Sequence, residues 1–402
     1  MILISNRKET LLRHLTILEI IYYLFLLMIS FIIVQIHGIF LVNDGYYQIA
    51  EVIQKNLINY GSPSTYAYRL YSQRFPTFRP IYSLLIALFS SLIFVLTNYY
   101  IDMFYIGILI NLISGFVGQY YFIKMLELFY TINSEQKRVI RILYVSYPTF
   151  IVFWLTFSVD MMFLASLSIL SYYLMKIYLN KEKKILHFEF FLILIISVFI
   201  KEESIIMIIS YCYIVLFNRR RNKIIFTIIS WITGVLLFHI IYWRSQLNVY
   251  AFNYFYNNVY SFSMPNATFH FDKLGTSIYI YLSNMFGFHN LIQIGFSLLW
   301  STGCSIIILF LYYFYQRKID KKVKIFENGN ILWIWTIGYI LFILIVITNF
   351  ISERYFLPFV IPLTLSLIML KNKENLDNKF LFIIITGNIL LIIFRMIFIL
   401  TF

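Results

Sequence analysis

Charge is what this sequence has least of. Only 12% of its 402 residues are Asp, Glu, Lys or Arg, about half the share of a water-soluble domain. Cysteine is nearly missing. The two present, Cys212 and Cys304, fall inside apolar stretches, form no metal motif and say nothing about redox compartment. Histidine is sparse, and the six residues are scattered without metal-ligand spacing. There is no Walker A loop, no glycine-rich dinucleotide turn, no Gly-x-Ser-x-Gly and no His-Glu-x-x-His, so ATP-driven transport and zinc proteolysis lack support. Heptad repeats, low-complexity tails and a segment that reads as a soluble domain are also missing.

Apolar residues take the space instead, 61% of the chain, with 20% aromatic. They come in repeated runs of about 20 residues, the length that crosses a hydrocarbon core. The chain therefore reads as an all-α polytopic membrane protein. About eleven transmembrane helices are expected, near 16–41, 101–124, 139–158, 161–180, 186–200, 204–218, 224–243, 292–315, 330–350, 355–371 and 379–401. The first run, Ile17 to Val42, is too long for a cleaved signal peptide and is read as a retained span. Residues 1–402 form one integral membrane domain, with outer loops at 42–100 and 244–290.

The net charge of +14 suggests nucleic acid until its distribution is read. Of the 32 Lys and Arg, 23 lie in or beside turns that fall on one side of the membrane if the first span runs outward. These include Lys124, Lys137, Arg138, Arg141, Lys176, Arg219, Lys318, Lys371 and Lys379. Basic residues retained inside account for the excess without nucleic acid. The N-terminus is then cytoplasmic, in a cell membrane. The segment Pro80 to Leu96 is apolar, but counting it as a span would move the Lys137–Arg141 cluster outside. It is read as an interfacial or re-entrant helix on the outer face, beside membrane lipid.

The same topology sends several polar residues outward together. Asp44 opens NDGYYQIAEVIQKN. There Tyr46, Ile49, Ala50, Ile53 and Leu57 make one apolar helical face, and Asp44, Gln48, Glu51 and Lys55 the other. Asp44 is either a helix cap or a catalytic acid. Asp160 sits at a hinge between two spans. A carboxylate there is a functional candidate, or it is wetted in a turn. Lys201-Glu202-Glu203 separates two apolar runs, and a local ion-paired turn also explains it. Arg354 and Tyr355 stand at the mouth of the tenth span, where Arg suits phosphate or snorkels to headgroups. Arg74 and Arg79, with Arg69, are unusual as outer basic groups; an anionic ligand or lipid headgroups would account for them.

The order of these features carries a resemblance. An Asp-led amphipathic helix follows the first span, then RFPTFRPIYSLLIALFSSLIF, then a span ending in a basic turn. SYPTFIVFWLTFSVD, VFIKEES and RYFLPFVIPLTLSLIML come after. This resembles the GT-C superfamily of membrane glycosyltransferases, nearest to the branch of protein O-mannosyltransferases and the lipid A aminoarabinose transferase. The likeness runs from Asp44 to Met369. The family's first-loop acid falls on Asp44, its hinge acid on Asp160, its basic residue after the fifth span on Lys201. Its Arg-Tyr-x-x-Pro mouth falls on Arg354, Tyr355 and Pro358. Here Asn43 precedes Asp44 where many members pair two acids, and Glu202 follows the lysine where Gly or Pro is common.

The resemblance implies an inverting transferase using a sugar on polyprenyl phosphate, with a hydroxyl on protein, lipid or glycan as acceptor. It implies Asp44 as general base and Asp160 as an orienting acid in the catalytic group. Lys201, Arg354 and Tyr355 would meet the donor phosphate, with Glu202, Tyr47, Arg74 and Arg79 contacting substrate. The residues assign no metal site and no cofactor, and the family leaves room for a divalent metal. The alternative is a transporter or flippase of polyprenyl-linked glycans, which should show midplane ions and internal repeats. A scaffold that kept the fold without the chemistry is the third reading.

Overall fold

The computed structural model describes residues 17, 19–32, 44–58, 80–99, 101–179, 184–217, 298–299, 301–319, 336, 353–373 and 377–401. The expected span 224–243, the loop 244–290 and nearly all of 330–350 lie outside the described residues. Every regular element among the described residues is helical, with no strand. The helices are α1 (Glu19–Ile32), α2 (Asp44–Ile58), α3 (Pro80–Thr97), α4 (Met103–Glu127), α5 (Ser134–Val145) and α6 (Pro148–Trp154). They continue as α7 (Asp160–Leu179), α8 (Lys184–Ile200), α9 (Met207–Phe217), α10 (Cys304–Ile319), α11 (Val360–Lys373) and α12 (Asn378–Thr401). Two short 3-10 helices, Glu202–Ile206 and Glu353–Phe359, precede α9 and α11.

By length and composition, α4 and α7 can each cross a membrane. They form the most extensive pair among the described helices. Small residues bring them close. A Cβ on Gly118 would lie 3.1 Å from the Tyr144 hydroxyl and 3.5 Å from the Ala165 backbone, and Ser114, Ser166 and Ser168 are buried nearby. Asn111 bonds the segment just before α7, Gly118 faces Ala165, and Tyr121 packs on Tyr172. The contacts advance together along both chains, so α4 and α7 run parallel, with α5 and α6 returning between them.

The expected span 139–158 is not one helix. Α5 ends at Val145, α6 fills Pro148–Trp154, and 155–159 is irregular. Pro148 is the physical reason. It lacks an N–H and pushes Tyr147 into the extended region, at φ −65° and ψ 133°. A second break lies at Gly303, whose φ of 61° is left-handed. Asn388 of α12 joins the two breaks. Its carbonyl accepts from the Cys304 N–H at 2.9 Å and its amide donates to Ser146 Oγ at 3.3 Å. Interrupted helices inside an apolar bundle persist where side chains re-satisfy the backbone in this way.

The amphipathic helix 44–58 forms, with Ile49, Ala50 and Ile53 buried as the periodicity predicts. Leu57 is exposed instead, and Gln54 is buried. The cause is α3, which lies alongside α2 and lets Gln54 donate to Ser90 Oγ at 2.6 Å. Tyr47 and Tyr82 both pack on Phe157, at 6.1 and 5.7 Å between ring centroids. Residues 47 and 82 thus pair near one end, and 54 and 90 farther on, so α2 and α3 run side by side in the same direction. Tyr82 also donates to the Gly107 carbonyl at 3.2 Å. An antiparallel hairpin of α3 on α4 would carry Tyr82 roughly 15 Å farther down α4. The segment Pro80–Thr97 is therefore a helix that meets the N-terminal end of α4 and does not run beside its length.

The two ends of the bundle differ in charge. Lys124 and Lys137 both bind Glu127, at 3.1 and 2.6 Å. Arg141 binds Glu19 of α1 with two bonds, 2.6 and 3.0 Å. Asn378 of α12 donates to Glu135 at 3.1 Å. These contacts gather Lys124, Lys137, Arg138, Arg141 and the start of α12 at one end. Asp160 and Lys201 lie toward the other, about 20–25 Å away along α4 by its helical rise.

Candidate functional site

The site forms where α7 begins and α8 ends. The irregular stretch before α7 needs partners for its freed carbonyls, and α4 supplies them. The amide of Asn111 donates to the Thr156 carbonyl and, at 2.8 Å, to the Ser158 carbonyl. Ser158 Oγ in turn accepts from the Asp160 N–H at 3.4 Å. Phe157 is clamped by Tyr47, Tyr82 and Phe104. Gly107 makes room for it, since a Cβ there would collide with the Phe157 ring. A short loop is thus fixed on both sides, and the first residue it delivers to α7 is Asp160.

Lys201 reaches Asp160 from the other direction. It follows α8 immediately, and its N–H still bonds the Ser197 carbonyl at 2.8 Å. The chain then turns. Ser204 N–H donates to the Lys201 carbonyl at 3.0 Å, and Ser204 Oγ donates to the Ser197 carbonyl at 3.1 Å. The lysine side chain is thereby aimed into the bundle. Its ammonium donates to Asp160 Oδ1 at 3.0 Å and lies 3.7 Å from Glu203 Oε1. The ring of Phe163, one turn beyond Asp160, sits beneath the same ammonium at 4.6 Å. Side-chain exposure is 1% for Lys201, 4% for Asp160 and 6% for Glu203.

Three charges removed from water must neutralise one another or incur several kcal/mol each. Here the ammonium faces two carboxylates and an aromatic ring. In chemical terms the group is a dry, preorganised carboxylate pair around a lysine, able to orient hydroxyl groups or answer a developing charge. The ammonium already fills the cation position between Asp160 and Glu203, so a divalent ion does not fit this group. Among the described residues no cluster of three His, Cys, Asp or Glu could hold a metal.

The other sequence-derived candidates divide by what is described. Tyr47 lies on Phe157, three residues before Asp160. Asp44 is the first residue of α2, one turn before Tyr47, and its backbone alone is described. Glu202 opens the 3-10 turn beside Lys201, likewise as backbone. Arg354 and Tyr355 lie in the 3-10 helix Glu353–Phe359, which packs against α6 and α7; their side chains are outside the described residues. Arg74 and Arg79 also lie outside the described residues. The structure thus joins Asp160 to Lys201, and places Tyr47 next door.

Two contributors go beyond the sequence reading. Glu203 does pair with Lys201 as the local ion-paired turn in the sequence suggested, but the pair is buried. Asn111 orients the loop before Asp160. Its signal was present: it is a lone amide within the apolar run YIGILINLIS, and such groups in a span are costly unless bonded. No family model, curated protein or solved structure matches this chain.

Proposed function

We propose that this chain is a multi-pass membrane glycosyltransferase of the GT-C kind. It moves a sugar from a polyprenyl-phosphate donor to an acceptor hydroxyl on the outer face. The observation that carries the reading is the buried Asp160–Lys201–Glu203 group, lying at the end of the bundle away from the basic cluster. Large apolar side chains exposed along one face of α4, from Tyr105 through Leu109 and Ile113 to Tyr120, support a lipid surround. Polar Asn111, Ser114 and Gln119 on the same helix are buried. Helices α2 and α3, which meet the outer end of α4, support the interfacial reading of the first loop.

In this mechanism Asp44 removes the proton from the acceptor hydroxyl, a step typically worth 10²–10⁴-fold. The acceptor oxygen attacks the anomeric carbon with inversion. The bond to the phosphate oxygen breaks, and polyprenyl phosphate leaves with the electron pair. Arg354 and Tyr355 meet that phosphate, and Lys201 shares the task from its place between the carboxylates. Asp160 orients the sugar or the acceptor. Glu202, Tyr47, Arg74 and Arg79 complete the substrate contacts. No step is routed through a metal.

The test is reconstitution in proteoliposomes with radiolabelled polyprenyl-phosphate sugars. Wild type should form a new glycosidic bond. Asp44→Asn should lower turnover by 10²-fold or more, with insertion unchanged. Arg354→Ala should raise the donor KM. Movement of a lipid-linked glycan between leaflets without any new bond would assign the chain to flippases instead.

A further inference from the structure

Three helices meet on one ring. Phe157 belongs to the irregular loop 155–159, yet it is fully buried. Phe104 of α4 stacks on it at 5.9 Å with an interplanar angle of 16°. Tyr82 of α3 meets it edge-on at 5.7 Å, and Tyr47 of α2 lies against it at 6.1 Å. Ring pairs favour particular angles as well as contact, so Phe157 constrains how these helices stand and not only how closely.

Helix α4 grips the loop at two points one turn apart. At Asn111 the amide donates to the carbonyls of Thr156 and Ser158, on either side of Phe157. Gly107, four residues earlier, shares that face of the helix. Its missing Cβ leaves the notch that the Phe157 ring fills. Its carbonyl accepts from the Tyr82 hydroxyl at 3.2 Å. An added Cβ would press on that hydroxyl at 3.0 Å and collide with the ring. Glycine inside a helix is less stable than alanine, and the φ of Gly107 is not positive. Space for Phe157 is what this glycine supplies.

The ring joins the two acids of the proposed reaction. Asp160 begins α7 three residues beyond Phe157, and Asp44 begins α2 one turn before Tyr47. We infer that Phe157, seated in the Gly107 notch, is a positioning residue: it sets where the first turn of α2, with Asp44, stands relative to Asp160. Its effect on turnover rests on the sugar-transfer reading above; its effect on the placement of α2 does not.

The test compares Gly107→Ala with Gly115→Ala in the full chain. A Cβ at Gly115 would crowd Trp154 Nε1 at 2.5 Å, two turns along the same helix, so overpacking is common to both variants. With Cys212 and Cys304 replaced by Ser, spin labels at Leu57 and Ile113, both exposed, report the distance from α2 to α4. Gly107→Ala should change it by about 1–2 Å, the gap between the collision and an ordinary carbon–carbon contact. Gly115→Ala should leave it in place. Phe157→Leu, which overfills nothing, should broaden it. An unchanged distance in both Gly107→Ala and Phe157→Leu would overturn the inference, as would an equal shift in Gly115→Ala. In the transfer assay Gly107→Ala should lower kcat about 10²-fold, the cost of a misplacement near 1 Å. The donor KM should stay unchanged, because Arg354 and Tyr355 stand on another element, and Gly115→Ala should keep most of the turnover. A raised donor KM with kcat intact would overturn the catalytic part. Wild type that transfers no sugar would sink the reading of the reaction, and the spin-label distances would still decide the role of Phe157.

Discussion

A lysine closed between two carboxylates inside an apolar bundle is held by mutual dependence. Removing one partner leaves the others desolvated and uncompensated, a loss of about 3–5 kcal/mol. Lys201→Met should therefore lower the thermal midpoint of the purified protein sharply, because both Asp160 and Glu203 lose their cation. Lys201→Met with Asp160→Leu and Glu203→Leu should recover a large part of it, since apolar replacement of a whole buried ionic group is often neutral. A triple variant no more stable than the single one would show that the ionic group is not the source of the loss. Sequence alone could propose Asp160 and Lys201 separately, because each interrupts an apolar run. It could not pair them, because they stand 41 positions apart and the loop geometry that aims them depends on Asn111, Phe157 and Ser204. Glu203 illustrates the same limit. An acid beside a lysine reads as an exposed turn until burial is known.

At the scale of elements, the two breaks at Ser146–Tyr147 and Gly303 are features of one junction. Asn388 satisfies a group from each, and Thr149 Oγ1 donates to the Ser301 carbonyl at 2.9 Å across the same gap. Gly303 is required twice there: its φ is left-handed, and an added Cβ would collide with the Asn388 side chain. Gly303→Ala should destabilise the protein by about 1–2 kcal/mol from backbone strain alone, more if Asn388 must move. Thermal unfolding beside Gly387→Ala checks it, because that Cβ would meet only the Cys304 side chain at 2.9 Å. Equal effects would deny Gly303 its special conformation. The Pro148 break was readable as a residue, yet a hydropathy window ran straight through it, since Pro scarcely lowers mean apolarity.

For the whole molecule, the separation of the basic end from the Asp160–Lys201 end gives orientation a direct test. With Cys212 and Cys304 replaced by Ser, a cysteine at Thr97 should react with an impermeant maleimide in right-side-out vesicles. One at Ser134 should react only after permeabilisation. Both positions are exposed. The reverse pattern would place the buried Asp160–Lys201–Glu203 group on the cytoplasmic side, where the proposed donor chemistry does not belong.

Composition and periodicity by themselves determined that the chain is helical, apolar beyond the needs of a soluble core, and biased in charge. These properties follow from local spacing and from the cost of exposing backbone in hydrocarbon, and both are written residue by residue. The tertiary structure decided what distance in sequence hides. It showed that α3 meets the end of α4 and does not pair along it, that Asn388 bridges two broken helices, and that Lys201 is shared by Asp160 and Glu203. Each depends on which faces meet. In a chain so rich in interchangeable apolar residues, many faces look alike until small residues and buried hydrogen bonds select one packing.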